Sequence, residues 1–326
     1  MKIRAAIVFV LGALAASHAA IPAAAQTWPS RTITLVVPFA AGGGTDAIGR
    51  VVAEKLAARL GQPVVVENKA GAASAIGTAY VAKAAADGYT LLMTTNSAMV
   101  ILPLTQAAGS LNYDRGDFSL IGLTGILPNL LIVSPKIPAN SVGELIAYAK
   151  ARPGQLSFAS SGNGTITHLI GELFKARTGI DVVHVPYRTG VQSAPDVMEG
   201  RVQYIFDNII WSLPMIRAGQ LKGLAITTSQ RSTLAPDIPT VAESGVPGFE
   251  GITWLGLVAP AKTPEPVIRR LAEEAAKAAK SPFVLERFKA DDAEPIGSTP
   301  AEYAAFIKKE QERWSKVVRA AKIKAD

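Results

Sequence analysis

Short apolar runs alternate with alanine-rich stretches along this chain, and the alternation restricts its fold more than any other feature. In the first third, apolar runs at 33–39, 64–67 and 89–95 are separated by helical stretches at 45–60 and near 76–86. Continuous apolar strands that alternate with helices indicate parallel βαβ units buried on both faces. The sequence therefore predicts an α/β protein, and its length, beyond the usual size of one core, predicts two lobes.

A second α/β block follows the first. Ser141 and Glu144 form a capping box, which marks the start of its first helix. The last third is punctuated by prolines before regular elements return. The predicted strands lie at 130–133, 156–159, 182–185, 203–206, 221–227 and 252–258, and the predicted helices at 141–151, 165–178, 264–280 and 300–320.

The N-terminus has the three-part pattern of a secretory signal peptide. Two basic residues precede an apolar run at 5–16, and Ala23-Ala24-Ala25 supplies an A-x-A cleavage site. The apolar run is shorter than the ~20 residues that a bilayer-spanning helix needs. We expect a signal peptide at 1–25, cleavage near Gln26 and a periplasmic protein. Removing this segment lowers the formal net charge from +7 to +5.

Composition argues against several functional classes. The basic residues are dispersed, with no basic run and no nucleic-acid motif, so no nucleic-acid partner is expected. The chain has no cysteine, which excludes disulfides, thiolate catalysis and thiolate metal sites. Only His168 and His184 follow the signal peptide, and no G-x-S-x-G elbow occurs. We therefore expect no enzyme, no metal and no cofactor.

The sharpest local feature is a glycine loop at 38–46, between a predicted strand and a predicted helix. Three successive glycines remove the Cβ atoms that would keep backbone N–H groups away from a ligand. The loop leads into a helix N-terminus, where unpaired N–H groups and the helix dipole favour an anion. Thr45 or Asp46 is suited to cap that helix. This combination favours an anion cradle over an ordinary turn.

The same loop admits a rival interpretation. Gly42, Gly44 and Ala47 satisfy a loose dinucleotide fingerprint, and Glu67 closes the second strand about twenty residues on. Against it, Asp46 would place a carboxylate beside the pyrophosphate, and no convincing catalytic set appears downstream. An exported dinucleotide-binding oxidoreductase stays open as an alternative.

Two further polar segments follow predicted strands. Ser161, Asn163 and Thr165 lie in a second glycine-containing loop before a helix, where their side chains can donate to one carboxylate. Asp207 ends another strand, and its carboxylate can either accept from a ligand or cap the next helix. Arg188 can pair with an anion or remain a solvated surface residue. Ligands of open α/β sheets bind at such carboxyl ends of strands.

Several short motifs follow one another along the chain. Each is modest alone, but together they span nearly all of the chain after the signal peptide. They are Trp28-Pro29-Ser30-Arg31, Pro38 to Asp46, Val66-Glu67-Asn68-Lys69 with Gly71, Ala86 to Leu91, Ser161 to Thr165 with His168, Val185-Pro186-Tyr187-Arg188, Phe206-Asp207-Asn208, Arg231 with Pro236 to Thr240, and Trp254-Leu255-Gly256 through Pro260. In this order, the motifs resemble the substrate-binding receptors of the tripartite tricarboxylate transporters, the Bug family.

The resemblance implies a type II periplasmic-binding-protein fold, with two doubly wound lobes joined by crossing strands that close around a ligand. Family members hold one ligand carboxylate through loop backbone and ordered waters. The chain departs from the family after Arg188, where it reads Thr189-Gly190-Val191, so ligand contacts near Thr189 stay open. The ligand-binding residues that the resemblance implies are Phe39, Ala40, Gly43, Thr45, Asp46, Ser161, Asn163, Thr165 and Asp207.

The expected organisation is lobe I at 26–124 together with about 226–285, lobe II at 125–225, and C-terminal helices at 286–326 packing across the lobes. The resemblance implies a monomeric receptor that binds a di- or tricarboxylate, an acidic amino acid or an aromatic acid. Its implied partners are the large and small membrane subunits of a transporter. A ligand sensor for a signalling partner is the other alternative that the sequence leaves open.

Overall fold

A computed structural model describes residues 28–107, 109–320 and 323, so the predicted signal peptide lies outside the described residues. The first part of the chain forms a parallel three-stranded unit in which β1 pairs with both β2 and β3. The side chains of β1 are almost fully buried because helices cover both faces of the sheet. The elements are β1 (Ile33–Val37), α1 (Gly44–Leu60), β2 (Val64–Asn68), α2 (Ala75–Ala82) and β3 (Thr90–Thr95), and a π-helical turn at Ser97–Ile101 leads into α3 (Leu102–Thr105).

The longest strand, β4 (Phe118–Val133), takes part in both halves of the sheet. Its residues Phe118–Pro128 pair antiparallel with β9 (Ile252–Pro260), which in turn pairs with β3. The pairing with β9 shifts register next to Gly122 and Gly125. A Cβ at Gly125 would lie 2.6 Å from the ring of Phe288, so the glycine admits the aromatic side chain.

The second half of the sheet forms around the remaining residues of β4. These residues pair antiparallel with β7 and β8, and β5 pairs in parallel with both β6 and β7. The α5 helix ends at Gly179, whose positive φ of 68° closes the helix. The elements are α4 (Val142–Lys150), β5 (Leu156–Ser160), α5 (Ile166–Thr178), β6 (Val182–Pro186), α6 (Gly190–Met198), β7 (Tyr204–Asn208), α7 (Ile209–Arg217) and β8 (Lys222–Ile226).

The C-terminal elements pack back on the first half of the sheet. Within α10, the Glu310 carboxylate is almost fully buried and accepts hydrogen bonds from the indole N–H groups of Trp254 (3.2 Å) and Trp314 (3.1 Å). These bonds attach α10 to β9. The elements are α8 (Glu265–Ala279), α9 (Pro282–Ala290), β10 (Glu294–Pro295) and α10 (Pro300–Ala320).

The chain crosses between the two halves at a compact set of hydrogen bonds centred on Asn129. Its amide Nδ2 donates to the carbonyl of Gly251 (3.1 Å), and its Oδ1 accepts from Thr253 (3.2 Å). The hydroxyl of Thr227 donates to the carbonyls of Asn129 and Gly251. Three separate segments are thereby joined at one place.

The structure extends the predicted elements in several places. β4 begins twelve residues before the predicted start at 130. The sequence does not indicate this earlier part of the strand because Gly122, Gly125 and Pro128 interrupt its apolar pattern. The α6 and α7 helices were not predicted, since each contains an internal proline, Pro195 and Pro214 respectively. Of the suggested lobe boundaries, that at 124/125 falls within β4 and that at 285/286 falls within α9.

Candidate ligand-binding cleft

Four helices begin at one cleft between the two halves of the sheet. The N-termini of α1, α5, α6 and α7 all contribute residues to its lining, as does the turn that follows β3. The cleft encloses about 530 Å³ of space between atoms, part of it open to solvent. Each junction is the carboxyl end of a strand, so the positive ends of four helix dipoles converge on one volume.

The glycine loop before α1 forms one wall. Gly43 precedes the helix in an extended conformation, and Gly42 adopts a φ of 87°, which favours glycine. Phe39, Ala40, Gly43 and Thr45 all line the cleft. The loop therefore presents backbone and small side chains to a ligand.

The structure places Asp46 outside the residues that line the cleft, whereas the sequence suggests it as a ligand contact. Its carboxylate accepts hydrogen bonds from the backbone N–H of Gly42 (3.0 Å), from Asn68 (2.8 Å) and from Arg50 (3.0 Å). Burial raises its pKa, but the bonds from Arg50, Gly42 and Asn68 outweigh burial and leave the pKa below its usual range. Asp46 therefore fixes the glycine loop from behind.

The loop between β5 and α5 forms the facing wall. The Thr165 hydroxyl accepts from the backbone N–H of His168 (3.3 Å) and donates to the carbonyl of Gly162 (2.7 Å), so it caps α5 and holds the loop together. Ser161 and Thr165 line the cleft, whereas Asn163 lies in a wider outer part that also contains Arg188.

Two stacked histidines support this loop from below. The rings of His168 and His184 lie 4.0 Å apart, and Nδ1 of His168 accepts from the backbone N–H of Gly164 (3.2 Å). Burial lowers the pKa of His168 to about 4 and that of His184 to about 3. Both rings are therefore neutral near pH 7 and act as packing and hydrogen-bonding groups.

Asp207 is the acidic group of the cleft. Its Oδ1 accepts from the backbone N–H (2.7 Å) and the side-chain amide (2.8 Å) of Asn208, and its Oδ2 accepts from the Ser161 hydroxyl (3.1 Å). Burial raises the pKa of Asp207 to about 6, although the bonds from Asn208 and Ser161 act in the opposite direction. A Cβ at Gly190 would overlap Oδ2, so the glycine makes room for this carboxylate.

Several polar groups at the cleft are buried without a partner among the described residues. They are the Thr95 hydroxyl, the Trp211 indole N–H and the side-chain oxygen of Asn208. The Trp211 indole lowers the pKa of Asp207, yet no acceptor lies within normal hydrogen-bond geometry of Nε1. Buried polar groups are normally paired, so these three are available to a polar ligand.

Direct contacts close the cleft across its width. The backbone N–H of Ile166, at the start of α5, donates to the Ser97 hydroxyl of the opposite half (3.2 Å). A Cβ at Gly44 would lie only 2.5 Å from the Asn208 side-chain oxygen, so the N-termini of α1 and α7 approach closely. The two halves of the sheet are therefore in direct contact across the cleft.

Seven of the nine ligand-binding residues suggested by the sequence line the inner cleft, Asn163 lines the outer cleft, and Asp46 lies behind the loop. Sequence reasoning missed part of the lining, although the rule that ligands bind where strands end applies to Thr95, the last residue of β3. The missed residues include Thr95, Ser97, Gly190, Trp211 and Thr253, and the lining also contains Thr189, whose contacts the sequence left open.

Comparison with known proteins identifies the family. Residues 48–323 match the model of the tripartite tricarboxylate transporter family receptor. The chain belongs to this family. It is similar to protein BugT of Bordetella pertussis, with 40% identity over 95% of this chain and 96% of that protein.

Solved structures of family receptors have the same fold. Rpa4515 of R. palustris, solved with adipate, superposes with a TM-score of 0.87 at 37% identity, covering 91% of this chain and 99% of that one. MatC from Rhodopseudomonas palustris, solved with malate, gives a TM-score of 0.82 at 32% identity, covering 89% and 99%. The expected periplasmic-binding-protein fold is confirmed. The chain is a solute-binding receptor and not an enzyme, which sets aside the oxidoreductase alternative.

Two features are absent from the described part of the chain, 28–107, 109–320 and 323. No group of acidic or histidine side chains there is arranged to hold a metal ion. Within the same residues, no helix combines the length and hydropathy needed to cross a membrane.

Proposed function

We propose that this receptor binds a small carboxylate in the inner cleft, in the periplasm, and delivers it as a monomer to the membrane subunits of a tripartite tricarboxylate transporter. The observation that carries the proposal is the convergence of four helix N-termini on a cleft whose described lining contains no Lys, Arg or His. The ligands of the two R. palustris structures support it, since adipate and malate are both dicarboxylates.

The anion is held by neutral donors in this proposal. The N-termini of α1 and α5 line the cleft, and Thr45, Ser161 and Thr165 lie beside them. Helix dipoles attract a negative charge without a fixed salt bridge. Closure of the lobes removes water and strengthens these interactions, and reopening weakens them, which suits a receptor that must release its ligand.

The moving parts are two lobes that correspond to the two halves of the sheet. We place the hinge at the bonds among Asn129, Thr227 and Gly251, because they join β4, where it passes from one half of the sheet to the other, to the segment that leads into β9. Lobe I then comprises β1, β2, β3, β9, β10 and the part of β4 up to Pro128. Lobe II comprises β5, β6, β7, β8 and the rest of β4. The contact between Ile166 and Ser97 forms only when the lobes close.

A thermal-shift screen of the mature protein tests the binding proposal. Dicarboxylates, tricarboxylates, aromatic acids and acidic amino acids are compared with uncharged amides of the same shape as controls. We expect at least one acid to raise the melting temperature, with calorimetry giving one site per chain, while its amide has no effect. If no acid in the panel binds, the carboxylate assignment is wrong.

Export is tested separately. We expect the intact mass of the protein recovered from the periplasm to correspond to a chain that begins near Gln26. A mass that includes residues 1–25 would contradict the signal-peptide prediction.

A further inference from the structure

Asp207 is the only ionisable side chain in the described lining of the inner cleft. It is 3% exposed and has no cationic partner among the described residues. Its hydrogen-bond partners, Ser161 and Asn208, are neutral, and so is the Trp211 indole that also lowers its pKa. A buried carboxylate with only neutral neighbours is an unusual component for a cleft that accepts anions.

Charged and titratable groups on the surrounding elements do not supply the missing cation. On α1, Asp46 is turned away and is paired with Arg50. In the loop before α6, Arg188 lies in the outer cleft. Below the α5 loop, His168 and His184 are neutral because burial lowers the pKa of each ring. None of these groups contributes a charge–charge effect on Asp207.

A ligand carboxylate in this cleft would meet the Asp207 carboxylate at short range. Two unit charges 4 Å apart repel by about 4 kcal/mol at an effective dielectric constant of 20. That repulsion corresponds to about three pKa units, enough to protonate one member of the pair at neutral pH. Oδ1 already accepts two hydrogen bonds and Oδ2 only one, which leaves Oδ2 as the atom that can take the proton.

We propose that the receptor takes up one proton with each carboxylate it binds, and that this proton resides on Oδ2 of Asp207, which then donates a hydrogen bond to the ligand. The proton comes from solvent, so a ligand carboxylate and an Asp207 carboxylate become a carboxylate paired with a carboxylic acid. This inference rests on the proposed function, because it requires a carboxylate in the inner cleft.

The proposal fixes the direction of the pH dependence. In the structure the Asp207 pKa is about 6, and a ligand carboxylate beside it raises this pKa further. Affinity is therefore at its full value below pH 6 and falls as the pH rises above it. If only the protonated form binds, Kd rises about 50-fold between pH 6 and pH 8. At pH 7, about 0.9 proton is taken up per ligand bound.

Isothermal titration calorimetry of the mature protein with adipate and with malate measures this uptake directly. Titrations at pH 7 in phosphate and in Tris, which differ in ionisation enthalpy, give the number of protons exchanged. We expect an uptake of about 0.9 proton per ligand bound for the wild type, because the Asp207 pKa is about 6. Asp207→Asn is expected to bind with no proton uptake and with a Kd that is constant from pH 6 to pH 8.

Asp291→Asn is the matched control, since burial also raises the pKa of Asp291 but its side chain does not line the cleft. We expect its proton uptake to equal that of the wild type. Ser161→Ala is a second variant, in case Asp207→Asn does not fold. It removes a hydrogen bond that lowers the Asp207 pKa, so the midpoint of its Kd–pH curve is expected to move to higher pH.

The outcomes separate this inference from the proposed function. Linkage requires an uptake of nearly one proton per ligand at pH 7. If adipate or malate binds with an uptake below about 0.2 proton, the inference is overturned, but the proposed carboxylate binding stands. Uptake that persists in Asp207→Asn would place the proton on the ligand and would also overturn it. Failure of every carboxylate to bind would defeat the proposed function itself, and the inference with it.

Discussion

Gly44→Ala tests whether the receptor binds its ligand in the closed arrangement. The added Cβ would lie 2.5 Å from Oδ1 and 2.7 Å from Cγ of Asn208, on the opposite side of the cleft. Ordinary van der Waals contact begins at 3.4 Å, so Asn208 would have to retreat by about 0.9 Å. Either the lobes stay apart, or the Asn208 side chain rotates and loses its 2.8 Å bond to Asp207.

Both responses weaken binding. Forcing an extra methyl group into a packed contact costs about 1–3 kcal/mol, and losing a hydrogen bond to a charged group costs about 1.5–3 kcal/mol. We therefore expect a roughly tenfold to hundredfold increase in Kd. The free protein should not be destabilised, because Ala is favoured over Gly in a helix by about 1 kcal/mol and the open form has no clash.

The matched control is Gly143→Ala in the first turn of α4, where a Cβ would meet no atom within 4 Å. It should raise the melting temperature while leaving the affinity at the wild-type value. Calorimetric titration with the best ligand of the screen measures Kd, and small-angle X-ray scattering with saturating ligand reports compaction. Wild-type affinity in Gly44→Ala would show that the bound state is not closed at this contact, and the reasoning would be refuted.

Three further predictions concern the cleft lining, a loop and the buried histidines. Trp211→Phe removes an unpaired donor from the cleft, so ligand affinity in calorimetry should fall about three- to tenfold while stability is retained. Ala73 has a left-handed conformation, with φ of 51°, so Ala73→Gly should raise the free energy of unfolding in urea by up to about 1 kcal/mol; a decrease would contradict this. His168 and His184 have folded pKa values of about 4 and about 3, below 6.5. Protons therefore favour the unfolded chain, so the melting temperature should fall from pH 6.5 to pH 4, and less steeply in His184→Phe.

Much of the fold could be predicted from the sequence because its strands are buried on both faces. Continuous apolar runs identify β1, β3 and β5, and a side-chain cap or a capping box marks the starts of α4 and α5. The beginning of β4 could not be predicted this way. Its glycines are required by neighbours distant in sequence, such as Phe288 against Gly125, and no local pattern contains that information.

The cleft could be predicted in part for a similar reason. Glycines and hydroxyls between a strand and a helix indicate that the loops containing Gly43 and Ser161 bind a ligand. The role of Asp46 could not be predicted in this way, because its contacts with Arg50 and Asn68 form only in the folded loop. Trp211 lies inside a helix with a proline, where a local pattern indicates packing and not a ligand contact.

The unbroken strand β4 has a consequence for how the receptor loses its structure. Its 16 residues are hydrogen-bonded to β9 and β10 in one half and to β7 and β8 in the other. Neither half is complete if this strand detaches, so local fraying cannot release one lobe as an independent folding unit. The receptor should therefore lose its structure in a single cooperative denaturation step. A destabilising substitution in either half should shift the midpoint of that one transition and should not create a second transition. A fold of two lobes can therefore still melt as a whole.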